Sequence, residues 1–499
     1  MAGGQDLPLI PAEQAATAAL LGRLAGAAPI ETHISAVFVG AETVFKLKKA
    51  VRLPFVDFTS LAERERTARR ELELNAPHAP GMYHDVVAVT RAGDGSLALG
   101  GDGDAVDWVL RMAPVPAGDF LDCIAAEGRL DGALLDGLAD AVAAMHGRLE
   151  PVETDPVAGF AWLAAGNRES ALTAGLDTAR VEAWFAAMTA ALAGLAPWLR
   201  ERQAAGFVRR IHGDLHLGNL CLWDGHPVPF DALEFDERMA RFDLGYDLAF
   251  LLMDLDQRAG RAAANRVMNR YLARTGDVAL LRGLPVFLSM RAMVRAHVAA
   301  RSGHADEVER YLASAAAYLH PPGPVVLAIG GLQGTGKSTV ARALAPGLGA
   351  APGAAILRSD EIRKFLHGVA PEDRLPPAAY RPKVGQKVFA LLAGQAAMAV
   401  AAGHAVIADG MFFAPAQRTA IEAAAGRAPF HGFWLTADLA ELEARVAART
   451  GDASDAGVEV LRRAARANVD AGSWHEVPAG NADDPIGAIR LIVAASATI

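Results

Sequence analysis

The 499-residue sequence predicts two folded parts of different class: an α+β part with a small sheet and a larger helical portion, then an α/β part with a mostly parallel sheet. Three observations carry this. β-rich runs crowd the segments 33–51 and 105–112, after which helical periodicity dominates from Asp119. Beyond residue 325, the apolar runs "PVVLAIG", "AAILRSD", "HAVIADG" and "FHGFWLT" alternate with helical stretches, a β-α-β rhythm. Between the two parts, "HPPGP" at residues 320–324 concentrates prolines and glycine and reads as a linker. The expected domains are 1–320, with a small lobe to about residue 112 and a larger one over about 113–320, and 325–499.

Taken in order, "HISAVFVG" and "TVFKLKKAV" read as a hairpin. In "SLAERERTARRELELN", Ser60 and Glu63 form a capping box that opens a helix. "AVDWVLRM" at 105–112 is a further strand. A small sheet followed by a larger helical part leaves one ligand cleft between two lobes. No internal repeat is present, so the two parts are not copies.

Composition narrows the function. A formal net charge of −9 argues against a nucleic-acid or anionic-membrane surface. Two cysteines, Cys123 and Cys221, make a disulfide framework or a thiolate zinc site unexpected and suit a reducing cytoplasm. The hydrophobic fraction is 52% and the mean hydropathy +0.20, but the longest uncharged run, 388–408, is broken by Gln395 and Gly403-His404. It reads as an amphipathic helix and a buried strand, not a span. "MAGGQDLPLI" lacks a basic region and an apolar region, so no secretory signal is expected. Small-molecule chemistry in the cytoplasm, with no nucleic acid and no membrane partner, is the expectation.

The first chemical constellation centres on "IHGDLHLGNL", residues 211–220. His212, Asp214 and His216 at i, i+2, i+4 would share one face of a strand and could make three metal ligands. Asn219, five residues after Asp214, supports another reading: in kinase catalytic loops an Asp receives the attacking hydroxyl's proton and an Asn five positions on holds a metal. Downstream, Asp231 in "PFDALEF" offers a second metal-binding carboxylate. Upstream, Lys46 and Lys48 lie on one face of a strand and Glu71 on the next helix, the lysine–glutamate arrangement that positions nucleotide phosphates. Either lysine fits; Lys46 is preferred, and Glu73 competes with Glu71.

With Lys46, Glu71, "HGDLHLGN" and Asp231 in that order, the first 320 residues resemble the aminoglycoside phosphotransferase and choline kinase group of the protein-kinase-like fold. The resemblance implies Asp214 as catalytic base, Asn219 and Asp231 as Mg²⁺ ligands, Lys46 as phosphate anchor, and His212 as a brace for the loop. Two features depart from the wider kinase pattern: the covering loop "FVGAETVF" has one glycine, and Ala-Leu follows Asp231. From Asp231 to Asp256 the chain carries Asp231, Glu234, Asp236, Glu237, Asp243, Asp247, Asp254 and Asp256 against Arg238 and Arg241. Such density favours a cationic or polyhydroxylated acceptor, or serves helix capping and metal binding. Asp243 and Asp247 are expected to be structural, behind the catalytic loop.

The second constellation is "GGLQGTGKST": Gly331, Gly334, Gly336, Lys337, Ser338 and Thr339, between a strand and a helix. Glycines let backbone N–H groups wrap phosphates, Lys337 reaches the β and γ phosphates, and Ser338 ligates Mg²⁺. "RSDEIRK" places Asp360 and Arg363 at a strand's carboxyl end, with Asp360 as the acid that orients the acceptor. Asp409, after "AVIA", is a candidate Mg²⁺ acid. Arg445 and Arg449 lie one helical turn apart, as for a lid that delivers arginines to the transferred phosphoryl group. This part resembles the P-loop kinases of the gluconate kinase, chloramphenicol phosphotransferase and zeta-toxin kind, with an AAA-type ATP-binding domain. The pair is similar to bacterial proteins in which a phosphotransferase-like domain is fused to a P-loop kinase.

The expected function is an ATP- and Mg²⁺-dependent kinase with two phosphoryl-transfer centres for small-molecule hydroxyls. Two alternatives stand beside it: a catalytic P-loop kinase regulated by a nucleotide-binding sensor domain, and a toxin-like kinase or interaction module.

Overall fold

The computed structural model describes residues 10–53, 56–448, 453–467 and 471–496. They form two compact units: residues 1–254 with 290–315, and residues 255–289 with 316–499.

In the first unit, six antiparallel strands make one sheet in the order Ile30–Glu31, Ser35–Val39, Val44–Lys48, Asp104–Met112, Tyr83–Arg91, Leu97–Leu99. The expected hairpin pairs Val39 with Val44 and Val37 with Lys46. Its turn explains the single glycine, since a Cβ on Gly40 would lie 2.8 Å from the Thr43 carbonyl oxygen. Alternation buries Ala36, Phe38, Phe45 and Leu47 on one face, with Leu20 and Leu21 of the helix Ala15–Ala25. The helix Leu61–Asn75 packs on the other side of the sheet's central strands. Ser60 caps it by accepting the Glu63 N–H at 3.2 Å, but Glu63 turns its carboxylate to Arg66, so only half of the capping box forms. The strand Tyr83–Arg91 lies outside the runs singled out above; its polar start and partly exposed residues on both faces blur the period of two.

The helices Gly132–Arg148, Pro156–Thr173 and Thr178–Ala204 build the larger lobe. Residues 211–219 connect two small antiparallel ladders, Val208–Arg210 with Arg241–Asp243 and Leu220–Trp223 with His226–Pro229. A small antiparallel sheet followed by a helical lobe that carries this loop is the protein-kinase-like α+β arrangement.

The second unit holds a wholly parallel five-stranded sheet, ordered Ala355–Arg358, Val406–Asp409, Val326–Gly331, Phe430–Thr436, His475–Pro478. The inner strands are buried on both faces, which is why they read as continuous apolar runs. The edge strand Ala355–Arg358 is covered within this unit by the helix Arg261–Thr275: Asn269 Oδ1 accepts the Ile356 N–H at 2.6 Å, and Asn265 donates to the Ala354 carbonyl at 3.0 Å. The helix Pro382–Ala401 is long and apolar enough, by length and composition, to cross a membrane. Its buried residues Val388, Leu392, Ala396 and Ala399 form one stripe, and it packs against the strands Ala355–Arg358 and Val406–Asp409. This is the expected amphipathic helix before a buried strand.

Candidate active sites

In the first unit the loop 211–219 is fastened from behind. Asp247, fully buried, accepts the N–H groups of His212 and Gly213 at 2.9 and 3.0 Å, and His146 Nε2 lies 3.2 Å away. Burial alone would raise the Asp247 carboxyl, yet the bond and charge of His146 hold it below the usual range. Arg291 donates to the Gly213 carbonyl at 2.9 Å, its guanidinium 3.7 Å from the Tyr246 ring. His212 places Nε2 2.9 Å from the Phe230 carbonyl and accepts the Asp214 N–H at Nδ1, 3.3 Å. Both ring nitrogens therefore serve the loop. No group of three or more His, Cys, Asp or Glu side chains arranged to hold a metal ion occurs among the described residues.

Asn219 Nδ2 donates to the Asp214 carbonyl at 2.9 Å and to Asp214 Oδ2 at 2.8 Å. His216 accepts the Gly218 N–H at Nδ1 and brings Nε2 to 3.5 Å from Asp214 Oδ2. Burial opposes ionisation of Asp214, but His216, by charge and hydrogen bond, holds its carboxyl far below the usual range. Asp214 is thus an ionised acceptor held by both neighbours.

Asp231 sits at φ 59, a left-handed conformation that a side-chain-bearing residue rarely adopts and that clusters at functional sites. Its N–H donates to the Tyr83 hydroxyl at 3.0 Å, and the next N–H, of Ala232, to Asn75 Oδ1 at 2.8 Å. Lys46 Nζ lies 2.5 Å from Asp231 Oδ1 and 2.6 Å from Glu71 Oε1. Lys48 Nζ lies 2.6 Å from Glu71 Oε2 and also pairs with Glu234. Burial works against charge on both lysines, but the carboxylates around them, Asp231 foremost for Lys46 and Glu234 for Lys48, raise both. Burial would likewise raise Glu71; the two lysines bring it down to about 2. Glu73 instead pairs with Arg70 on the surface. The structure thus brings Lys46, Glu71 and Asp231 together, and Asp214 with Asn219. Tyr83, Asn75 and Arg291 complete the surroundings without having stood out in the sequence, and Glu234, read there only as one of eight acids, is Lys48's partner.

In the second unit, Gly331, Gly334 and Gly336 have φ of 132, 85 and 83. A Cβ on Gly331 would meet the Leu435 carbonyl oxygen at 2.6 Å, and one on Gly334 the Leu442 carbonyl oxygen at 2.9 Å. The helix Lys337–Leu344 begins directly after the loop, with Thr339 exposed at its third position. Lys337 Nζ donates to the Gly331 and Leu332 carbonyls at 3.0 and 2.8 Å. Ser338 Oγ donates to Asp409 Oδ2 at 2.6 Å, and Arg358 Nε reaches the same oxygen at 3.3 Å. Asp360 stands in the first turn of the helix Ser359–Leu366; burial raises its carboxyl, against a hydrogen bond from Ser454. Arg363 donates to the Ala379 carbonyl. Arg445 is held by the Ala479 carbonyl at 2.8 Å, Asn481 Oδ1 at 2.8 Å and the Gly334 carbonyl at 3.3 Å, tying the loop 331–336 to the segment that follows the strand His475–Pro478. Arg449 lies outside the described residues.

The family model of the AAA domain matches residues 326–469. An uncharacterized protein of Mycobacterium tuberculosis strain H37Rv is 27% identical over 473 residues, covering 90% of this chain and 91% of that protein. An uncharacterized protein of Mycobacterium bovis matches equally. Among solved structures, a gluconokinase from Sinorhizobium meliloti 1021 is similar over 35% of this chain and 90% of its own, at 20% identity and TM-score 0.24. The GDP complex of aminoglycoside 2'-phosphotransferase-IIIa covers 58% and 91%, at 16% identity and TM-score 0.36. A choline kinase from Cryptosporidium parvum Iowa II covers 58% and 87%, at 11% identity and TM-score 0.37.

Proposed function

We propose that this chain is an ATP- and Mg²⁺-dependent phosphotransferase with two separate phosphoryl-transfer centres, each acting on a hydroxyl of a small molecule. The observation that carries the reading is that each unit holds its own lysine and its own oxygen donors: Lys46 on Asp231, and Lys337 on the loop whose next residue, Ser338, bonds Asp409.

In the first centre Asp214 accepts the acceptor's proton, oriented by Asn219 and His216, and Lys46 holds the nucleotide phosphates. In the second, Lys337 turns from its two carbonyls to the phosphates, Asp360 orients the acceptor hydroxyl, and Arg445 steadies the loop. Arg449 belongs to the same lid reading. The donor chemistry fits Mg²⁺, because Asn219, Asp231, Ser338 and Asp409 offer hard oxygens and few carboxylates, as a metal shared with phosphates requires. When bound, that ion neutralises charge on the transferred phosphoryl group. The acidic stretch 231–256 favours a cationic or polyhydroxylated acceptor for the first centre. A cytoplasmic setting and the absence of nucleic-acid or membrane partners belong to the same reading.

The test is ADP release against a panel of sugars, aminoglycosides and nucleosides. Asp214→Asn is expected to abolish one acceptor-dependent reaction by about 10² to 10⁴ and leave the other, with Lys337→Ala doing the reverse. If Asp214→Asn alters only the reaction at the glycine-rich Walker A loop, residues 331–339, the first unit is a sensor.

A further inference from the structure

Glu71 is shared between two lysines, one on each oxygen, both at 2.6 Å. Each lysine then reaches a different carboxylate of the segment 231–234: Lys46 to Asp231 and Lys48 to Glu234. The side chains of Lys48, Glu71 and Glu234 are 2%, 0% and 5% exposed, against 11% for Lys46 and 37% for Asp231. One lysine–carboxylate pair therefore stands at the open end of the cluster and the other is sealed inside.

From this we infer that Lys48 and Glu234 are a positioning pair for the first centre: they keep Glu71 neutralised so that Lys46 can leave Asp231 for a nucleotide's phosphates. The inference rests on the reading of that centre given above. Alternate residues of a strand share a face about 7 Å apart, a gap that one carboxylate between two ammonium groups can bridge. With Lys46 alone, Glu71 and Glu234 would be two buried carboxylates competing for one cation, which would draw Lys46 inward and away from the open end. Lys48 removes this conflict. Glu234 in turn balances Lys48, since two ammonium groups against three carboxylates leave one surplus negative charge, and it falls on Asp231, the most exposed member. Asp231 is the carboxylate read above as a metal ligand.

The experiment uses the full chain carrying Lys337→Ala, so that Mg·ATP measured by calorimetry binds only the first centre. Lys46→Met is expected to lose tenfold or more in affinity, about the value of one well-placed charge contact. Lys48→Met should also lose about tenfold, because Glu71 and Glu234 then compete for Lys46. Adding Glu234→Gln to Lys48→Met removes the orphaned charge, and affinity should recover to within about threefold of the parent. This double variant also carries the test if Lys48→Met does not fold. A double variant that binds as weakly as Lys46→Met would make Lys48 itself a phosphate anchor and overturn the inference. So would a folded Lys48→Met with parental affinity and only a lowered Tm. If the Lys337→Ala parent binds no Mg·ATP, the first centre falls, and the pair's role with it, before any pair variant is made.

Discussion

The two candidate centres are assembled in different ways. In the first, Lys46 meets Asp231 across 185 residues of sequence and Lys48 meets Glu234 across 186, so both lysines are locked to distant carboxylates. In the second, Gly331 to Ser338 form one continuous strand–loop–helix passage, within which Lys337 donates to the carbonyls of Gly331 and Leu332, six and five residues before it. The first site is therefore built by tertiary structure and is part of what stabilises its unit. The second is built largely from neighbours in sequence.

The largest effect that sharpens this contrast is Glu71→Ala. It takes from Lys46 and Lys48 the carboxylate they share; since Asp231 and Glu234 still pair them, the cost is that of the lost charge-assisted bonds, about 1.5–3 kcal/mol each. Denaturant unfolding followed on the full chain should show the first unit's transition lowered and the second's unmoved. Lys337→Ala removes bonds to nearby carbonyls of its own loop and should lower the second unit by less than Glu71→Ala lowers the first. Equal losses from the two substitutions would erase the distinction.

A smaller, pH-dependent effect belongs to the second unit. His404 is fully buried, neither ring nitrogen has a partner among the described residues, and burial pushes its imidazole down to about 4. The folded value lies below the unfolded one, so stability is complete above about pH 6.5 and declines as pH falls toward 4, where the unfolded chain takes up the proton first. Between pH 7 and pH 5 the loss is about 2 kcal/mol. His404→Leu should flatten that slope in the second unit's melting. An unchanged slope would contradict the burial account. His297 in the first unit is also down at about 4, through burial and then Arg301, and gives the matching control.

Smaller still, Asn269→Ala removes the acceptor of the Ile356 N–H at the sheet edge and should cost the second unit about 1–2 kcal/mol in urea unfolding. A fragment cut at residue 325 suffers the same loss, because the helix Arg261–Thr275 is gone.

What was legible in the sequence follows from the same contrast. The Walker A loop and the segment 211–220 are contiguous, so their glycines, Lys337, Asp214 and Asn219 could be read directly. Lys46 and Lys48 could not be separated, since both point to one face of the strand Val44–Lys48 and only Asp231 and Glu234, far away in sequence, tell them apart. Tyr83 went unnoticed because its strand is weakly patterned. The anchoring of Arg445 was hidden because Ala479 and Asn481 follow a short strand, His475–Pro478, that no apolar run announces.

The central claim, two independent nucleotide centres on one chain, is tested most directly by the stoichiometry of Mg·ATP binding in calorimetry. The account predicts about two nucleotides per wild-type chain, and about one in each of Lys46→Met and Lys337→Ala, at the remaining site's unaltered affinity. A single nucleotide per wild-type chain, lost completely in Lys337→Ala and retained in Lys46→Met, would contradict it.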